Sequence, residues 1–104
     1  MIYELRTYQL KVGCVPEYFK IAETELLPAL AEHGIEPAGF FYTDIGTLNE
    51  VNHLWAFEDL NDRHERWAKW VADPKRPAIM SRLREIILTQ SNKILRPAPF
   101  SKLK

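Results

Sequence analysis

Apolar and polar positions change period several times along the chain, and each change marks an element. From Ile2 to Leu10 the residues alternate and are rich in Tyr, Thr, Leu and Ile, as a half-buried strand requires. Lys11, Val12 and Gly13 turn the chain. From Val15, with Pro16 suited to a first helical turn, Phe19, Ala22, Leu26 and Leu30 recur at spacings of three and four, the stripe of an amphipathic helix. Pro28 is expected to kink that helix or end its regular part, and Gly34 to cap it. Ala38 to Ile45 and Val51 to Glu58 read as strands joined through Gly46-Thr47-Leu48-Asn49, a hairpin. Asp59 or Asn61 then opens a helix carrying Trp67, Trp70 and Val71. After Asp73-Pro74, Pro77 opens another through Ile79, Met80, Leu83 and Ile87. A last strand lies within Leu88 to Arg96, ended by Pro97 and Pro99. The order β-α-β-β-α-(α)-β is ferredoxin-like: an α+β fold of one antiparallel sheet with helices on one face.

Alternation sorts the strand residues into two sets. We expect Leu54 and Ala56 to lie beneath the helices. Val51, His53, Trp55 and Phe57 then fall on the open face, with Glu4, Arg6 and Tyr8 and two aromatics of the second strand, where Phe40 and Tyr42 share one face and Phe41 and Ile45 the other. So large an apolar surface calls for a cover. Burying each such side chain is worth roughly 1.5–3 kcal/mol. A homodimer packing sheet on sheet supplies it; the chain's own tail, Pro97 to Lys104, is the competing cover.

Charged and titratable residues inside an aromatic face point to a cavity rather than a dry seam, because buried charge is costly unless paired. In this reading Arg6 binds an anionic group. His53 and Tyr8 handle protons. Glu4, Trp55, Phe57, Tyr42 and, from the helix rim, Arg63 complete the ligand contacts; Arg63 and Trp67, four apart, can stack. The blander alternatives are that Glu4 and Arg6 pair with each other, that His53 is structural, and that the run around Arg63 and Arg66 is a solvated helix face.

Composition narrows the function classes. The chain has 104 residues, room for a single domain spanning 1–104. Fourteen basic and fourteen acidic residues cancel, giving no electrostatic reason to expect nucleic acid or an anionic membrane surface. No apolar run approaches a membrane span, and no secretory signal is evident at the amino terminus. Cys14 stands alone, so no intrachain disulfide can form; a cytoplasmic location is expected. His33, His53 and His64 lack metal-ligand spacing, and there is neither a phosphate loop nor a nucleophile elbow, so no metal or cofactor is expected.

The segment Tyr3-Glu4-Leu5-Arg6-Thr7-Tyr8, with Gly13 and Tyr18 after it, resembles the start of the NIPSNAP family. His53-Leu54-Trp55, Arg63, Arg66 and Pro97-Ala98-Pro99-Phe100-Ser101 extend the resemblance over nearly the whole chain. Phe57 departs from it, standing where members often have Tyr. The resemblance implies a dimeric α/β barrel of ferredoxin-like subunits and no secure activity. Eukaryotic relatives are linked to vesicle traffic and mitochondrial quality control. Similar barrels include cofactor-independent monooxygenases, isomerases and haem-degrading enzymes, an analogy of fold alone. Three readings follow: a small-molecule pocket between the sheets of a homodimer, with monooxygenase- or isomerase-like chemistry; a non-catalytic scaffold whose sheet face only dimerises; and haem binding through His53.

Overall fold

The computed structural model describes residues 1–104. Its strands are β1 (Ile2–Leu10), β2 (Pro37–Tyr42), β3 (Glu50–Phe57) and β4 (Ile87–Leu95); its helices are α1 (Val15–Ile21), α2 (Leu27–Ala31), α3 (Leu60–Val71) and α4 (Arg76–Ile86). The strands form one sheet in the order β2-β3-β1-β4, and every pairing is antiparallel. The ferredoxin-like α+β expectation holds, with two shifts. The second strand stops at Tyr42, leaving Ile45 in an exposed loop, and the last strand starts at Ile87.

Helices α1 and α2 are one continuous rod joined by a π-turn, Ala22–Leu26. Pro28 has no N–H to donate. The turn just before it widens so that the Leu27 N–H reaches the Ala22 carbonyl. The proline is thereby absorbed without breaking the rod. Gly34, at φ 74°, takes the left-handed cap position that a Cβ would strain, and the Arg66 guanidinium closes over it, donating from Nη1 to its carbonyl at 2.5 Å. Asp59 caps α3, accepting from the Asp62 N–H at 2.8 Å.

The expected assignment of the sheet faces is reversed. Val51, Trp55 and Phe57 of β3 and Ile2, Tyr8 and Leu10 of β1 belong to the core beneath the helices, packed with Tyr18, Ile21, Leu26, Leu30, Trp70, Ile79, Leu83 and Ile86. His53 and Glu4 are buried on the same side. The register fixes this, since Ile2 faces Phe57, Glu4 faces Trp55, Arg6 faces His53 and Tyr8 faces Val51. The open face instead carries the pairs Tyr3–Ala56, Leu5–Leu54 and Thr7–Asn52, together with Phe41 of β2. Gly39 stands two residues before Phe41, and a Cβ there would lie 2.5 Å from the Phe41 ring, so the glycine makes room for that ring on the open face.

The physical reason is that alternation separates two sets without saying which one the helices cover. The charged residues expected on the open face are accommodated under the helices because α3 brings Arg63 down to meet Glu4.

Candidate functional site

The sheet and the helices do not close completely. Between them lies a cavity of about 500 Å³, within the range of small-molecule sites. Arg6, Tyr8, His53 and Trp55 form its floor; Tyr18, Leu26 and Leu30 of the first helical rod, Trp67 and Trp70 of α3, and Arg76, Met80, Leu83 and Arg84 of α4 form its walls. Ile87 to Gln90 of edge strand β4 make up the remaining side. Each residue arrives by periodicity: alternate positions of β1 and β3 supply the floor, and Tyr18, Ala22, Leu26 and Leu30, four apart, face it from the rod.

Of the eight residues expected at the site, four line this cavity: Arg6, Tyr8, His53 and Trp55. Glu4 and Arg63 lie beside it, in a polar knot. The Glu4 carboxylate accepts from Arg63 Nε at 2.7 Å, Arg6 Nε at 2.9 Å, Asn92 Nδ2 at 2.9 Å and Arg63 Nη2 at 3.3 Å. Burial opposes ionisation of Glu4, but the hydrogen bonds from Arg63 and Asn92 and the charge of Arg6 outweigh it and hold its pKa down to about 2. Arg63, expected to meet a ligand anion, therefore binds the chain's own carboxylate; its stack on Trp67 is present at 5.8 Å. Phe57 packs in the core away from the cavity, and Tyr42 is exposed with its ring against Phe19. Neither lines the site.

Arg6 is likewise largely committed. Beyond Glu4, its Nη1 donates to Tyr8 Oη at 3.0 Å, and its guanidinium lies 4.3 Å from the Trp67 ring centroid. It serves the cavity as a fixed positive charge and as the partner that orients Tyr8.

His53 is stacked on Phe40 at 3.9 Å, and its Nε2 lies 3.1 Å from Tyr18 Oη. Burial, aided by the Arg6 charge, pushes its pKa down to about 3, so the imidazole is neutral. Burial also drives the Tyr18 hydroxyl well above its ordinary value, keeping it protonated. The arrangement that leaves no buried hydroxyl proton without an acceptor has Tyr18 donating to Nε2, which puts the imidazole proton on Nδ1. Tyr18 was not assigned to the site from the sequence, although its four-residue spacing to Ala22 and Leu26 carries the signal. With Nε2 engaged and one ring face covered, His53 is not presented as a haem ligand.

Two buried donors have no acceptor in the chain, Trp55 Nε1 and Arg76 Nε, and both residues line the cavity. A buried donor without a partner is costly and calls for an explanation. Elsewhere, Glu32, His33 and Asp73 bring three ligand-type atoms within 4.8 Å of one another, yet His33 is hydrogen-bonded to the buried Asp73 and Glu32 is paired with Lys75, so all three are engaged within the chain.

The architecture is thus that of a helix-covered antiparallel sheet enclosing an apolar cavity with a few convergent donors. Residues 3–102 match the NIPSNAP family, and the chain belongs to it. Human NipSnap homolog 2 is 40% identical over 70 residues, 66% of this chain but only 24% of that protein, so the chain matches about a quarter of this relative's length. Human NipSnap homolog 3A is 33% identical over 104 residues, covering 99% of this chain and 42% of its own. Among solved structures, a NIPSNAP family protein of unknown function from Agrobacterium tumefaciens superposes with a TM-score of 0.95 at 43% identity, covering 100% of this chain and 94% of that one. A putative antibiotic biosynthesis monooxygenase from Nitrosomonas europaea shares the fold alone, with a TM-score of 0.69 at 8% identity over 93% of this chain and 98% of that one. No helix is long and apolar enough to cross a membrane.

Proposed function

We propose that the chain binds a small aromatic carbonyl compound in the cavity beneath its helices and polarises the carbonyl oxygen there. One observation carries this reading: Trp55, with its unsatisfied Nε1–H, borders the same cavity as a neutral, tautomer-fixed His53 and the Arg6 charge. A neutral imidazole cannot readily take a proton when its pKa is about 3. It can donate from Nδ1 to an oxygen that gains negative charge, as in an enolate, and a preorganised donor is effective in that role. Tyr8, whose hydroxyl oxygen accepts from Arg6, moves the one proton of the cycle: as the phenol it gives that proton to the enolate carbon and is left as a phenolate beside the Arg6 guanidinium, and in the reverse direction the phenolate takes the carbon-bound proton back. Isomerisation by enolisation, or cofactor-independent oxygenation of an enolate, is the chemistry this set suits.

Phenylpyruvate in D₂O provides the test, with exchange at its benzylic carbon followed by proton NMR. The expected result is exchange above the buffer rate, falling by about 10²-fold or more in His53→Phe and in Tyr8→Phe. Binding without accelerated exchange keeps the ligand site and removes the catalysis, absence of both favours the non-catalytic scaffold, and an unchanged rate in both variants sinks the proposed roles.

The open face supports a homodimer as the working unit, a second copy covering what the helices do not. Phe41 is 59% exposed there, Leu5 and Leu54 are half-buried beside it, and Phe100 of the tail is 89% exposed. Light scattering is expected to give twice the chain mass, reduced to the single mass in Phe41→Glu. A wild-type chain that scatters as a monomer at micromolar concentration removes the dimer.

A further inference from the structure

The cavity holds cations that the polar knot does not consume. Arg6 and Arg63 both spend their guanidinium groups on Glu4. Arg76 and Arg84 line the same cavity from the first and last turns of α4, and neither pairs with a carboxylate of the chain. Arg76 is placed by its contact with Trp70, 6.0 Å from the ring centroid, and its Nε is buried without an acceptor. Trp55 is 4% exposed and its Nε1 is also without one. Two residues that each carry an unsatisfied donor, one of them charged, therefore border a single space whose other walls are mostly apolar or aromatic.

We infer that Arg76, rather than Arg6, holds the ligand's carboxylate, and that Trp55 Nε1 donates to a second oxygen of the same molecule. This rests on the cavity reading above and names its substrate class: a small aromatic carboxylate carrying a keto or hydroxyl oxygen. Arg6 is less suited to the carboxylate because its Nε and Nη1 donors are already given to Glu4 and Tyr8. A guanidinium, by contrast, can offer a carboxylate two parallel N–H donors, and Arg76 has no competitor for them. The bicyclic walls Trp67 and Trp70 and the phenol rings of Tyr8 and Tyr18 suit a planar, apolar body between the two polar contacts.

Calorimetric titration of the intact chain with three matched probes separates the contacts. Phenylpyruvate carries both the carboxylate and the keto oxygen, 3-phenylpropionate lacks the keto oxygen, and 3-phenylpropanamide lacks the charge. The expected order is phenylpyruvate, then phenylpropionate, then the amide about tenfold or more weaker. Arg76→Gln should reduce phenylpropionate binding to the level of the amide while leaving the amide unchanged, with partial recovery in Arg76→Lys. Trp55→Phe, of nearly equal ring bulk at the sheet, should reduce phenylpyruvate to the level of phenylpropionate. Each variant's melting temperature is recorded alongside. If Arg76→Gln binds both acids as tightly as the wild type, the assignment is overturned while the cavity reading stands. If the wild type binds all three probes equally, the carboxylate preference itself is overturned. If it binds none, both this inference and the proposed ligand site fall.

Discussion

Glu4→Ala is expected to destabilise the fold by about 3–5 kcal/mol, the usual cost of removing one partner from a buried ion pair. The Glu4 carboxylate is 1% exposed and serves two arginines and Asn92 at once. Without it, two guanidinium groups, each less than one-fifth exposed, face each other beneath α3 with no counter-ion. The loss should reach beyond stability, because Arg6 orients Tyr8 and Arg63 ties α3 to β1. Glu4→Gln keeps the shape and part of the hydrogen bonding, so its smaller loss measures the charge separately. Urea unfolding of the three proteins at neutral pH makes the comparison; a loss below about 1 kcal/mol for the alanine variant contradicts the description of the knot, that being the range of a surface pair.

The second large effect is a fall in stability with acid, driven by His53. Its folded pKa is about 3 against 6.5 for the free side chain, so between those values the unfolded chain takes up a proton that the folded chain refuses. Stability is then complete above pH 6.5 and declines as the pH drops, by roughly 4–5 kcal/mol in total by pH 3. Glu4 acts in the same direction over a lower window. Its depressed pKa contributes stability above about pH 4.5 that is lost as pH falls toward 2. The interval from pH 6.5 to 5 isolates the histidine from that carboxylate. There the wild type should lose about 1.4 kcal/mol per pH unit once well below 6.5, and His53→Gln should show a markedly flatter curve. An identical slope in the variant would mean that His53 is charged in the folded state.

These two residues also show how much could be read before the fold was known. The limits of β1, the hairpin, a cap at Asp59 or Asn61 and the ferredoxin-like order followed from periodicity and capping chemistry, because those signals are local. The partition of β1 and β3 into two sets was equally legible. Its orientation was not. Leu54 and Ala56 were expected beneath the helices, which put Glu4, Arg6 and His53 on the other face, yet the covering helix α3 carries Arg63 and Trp67, and those are what make the burial of Glu4 and Arg6 tolerable. That is a long-range pairing, 59 residues apart between Glu4 and Arg63, and no window of sequence contains it.

The same reversal moves the candidate site from between two sheets to beneath the helices of one chain. Arg6, Tyr8, His53 and Trp55 survive the move because they share one face whichever side is covered. Phe57 does not, lying beyond Trp55 along β3, and Tyr42 does not, standing on edge strand β2 at the side of the sheet opposite β4. Tyr18 and Arg76 were missed for a different reason: their significance lies in one hydrogen bond and one absent acceptor, and both are properties of the folded chain.

The three indole N–H signals of a ¹⁵N-labelled sample report directly on the location of the ligand site, since Trp55, Trp67 and Trp70 all line the cavity. On titration with phenylpyruvate, the Trp55 indole proton is expected to move downfield as it gains an acceptor, while the backbone signals of Thr7, Asn52 and Leu54 on the open face stay in place. Movement of Thr7, Asn52 and Leu54 with all three indole signals unmoved would contradict the account and return the site to the face between two subunits.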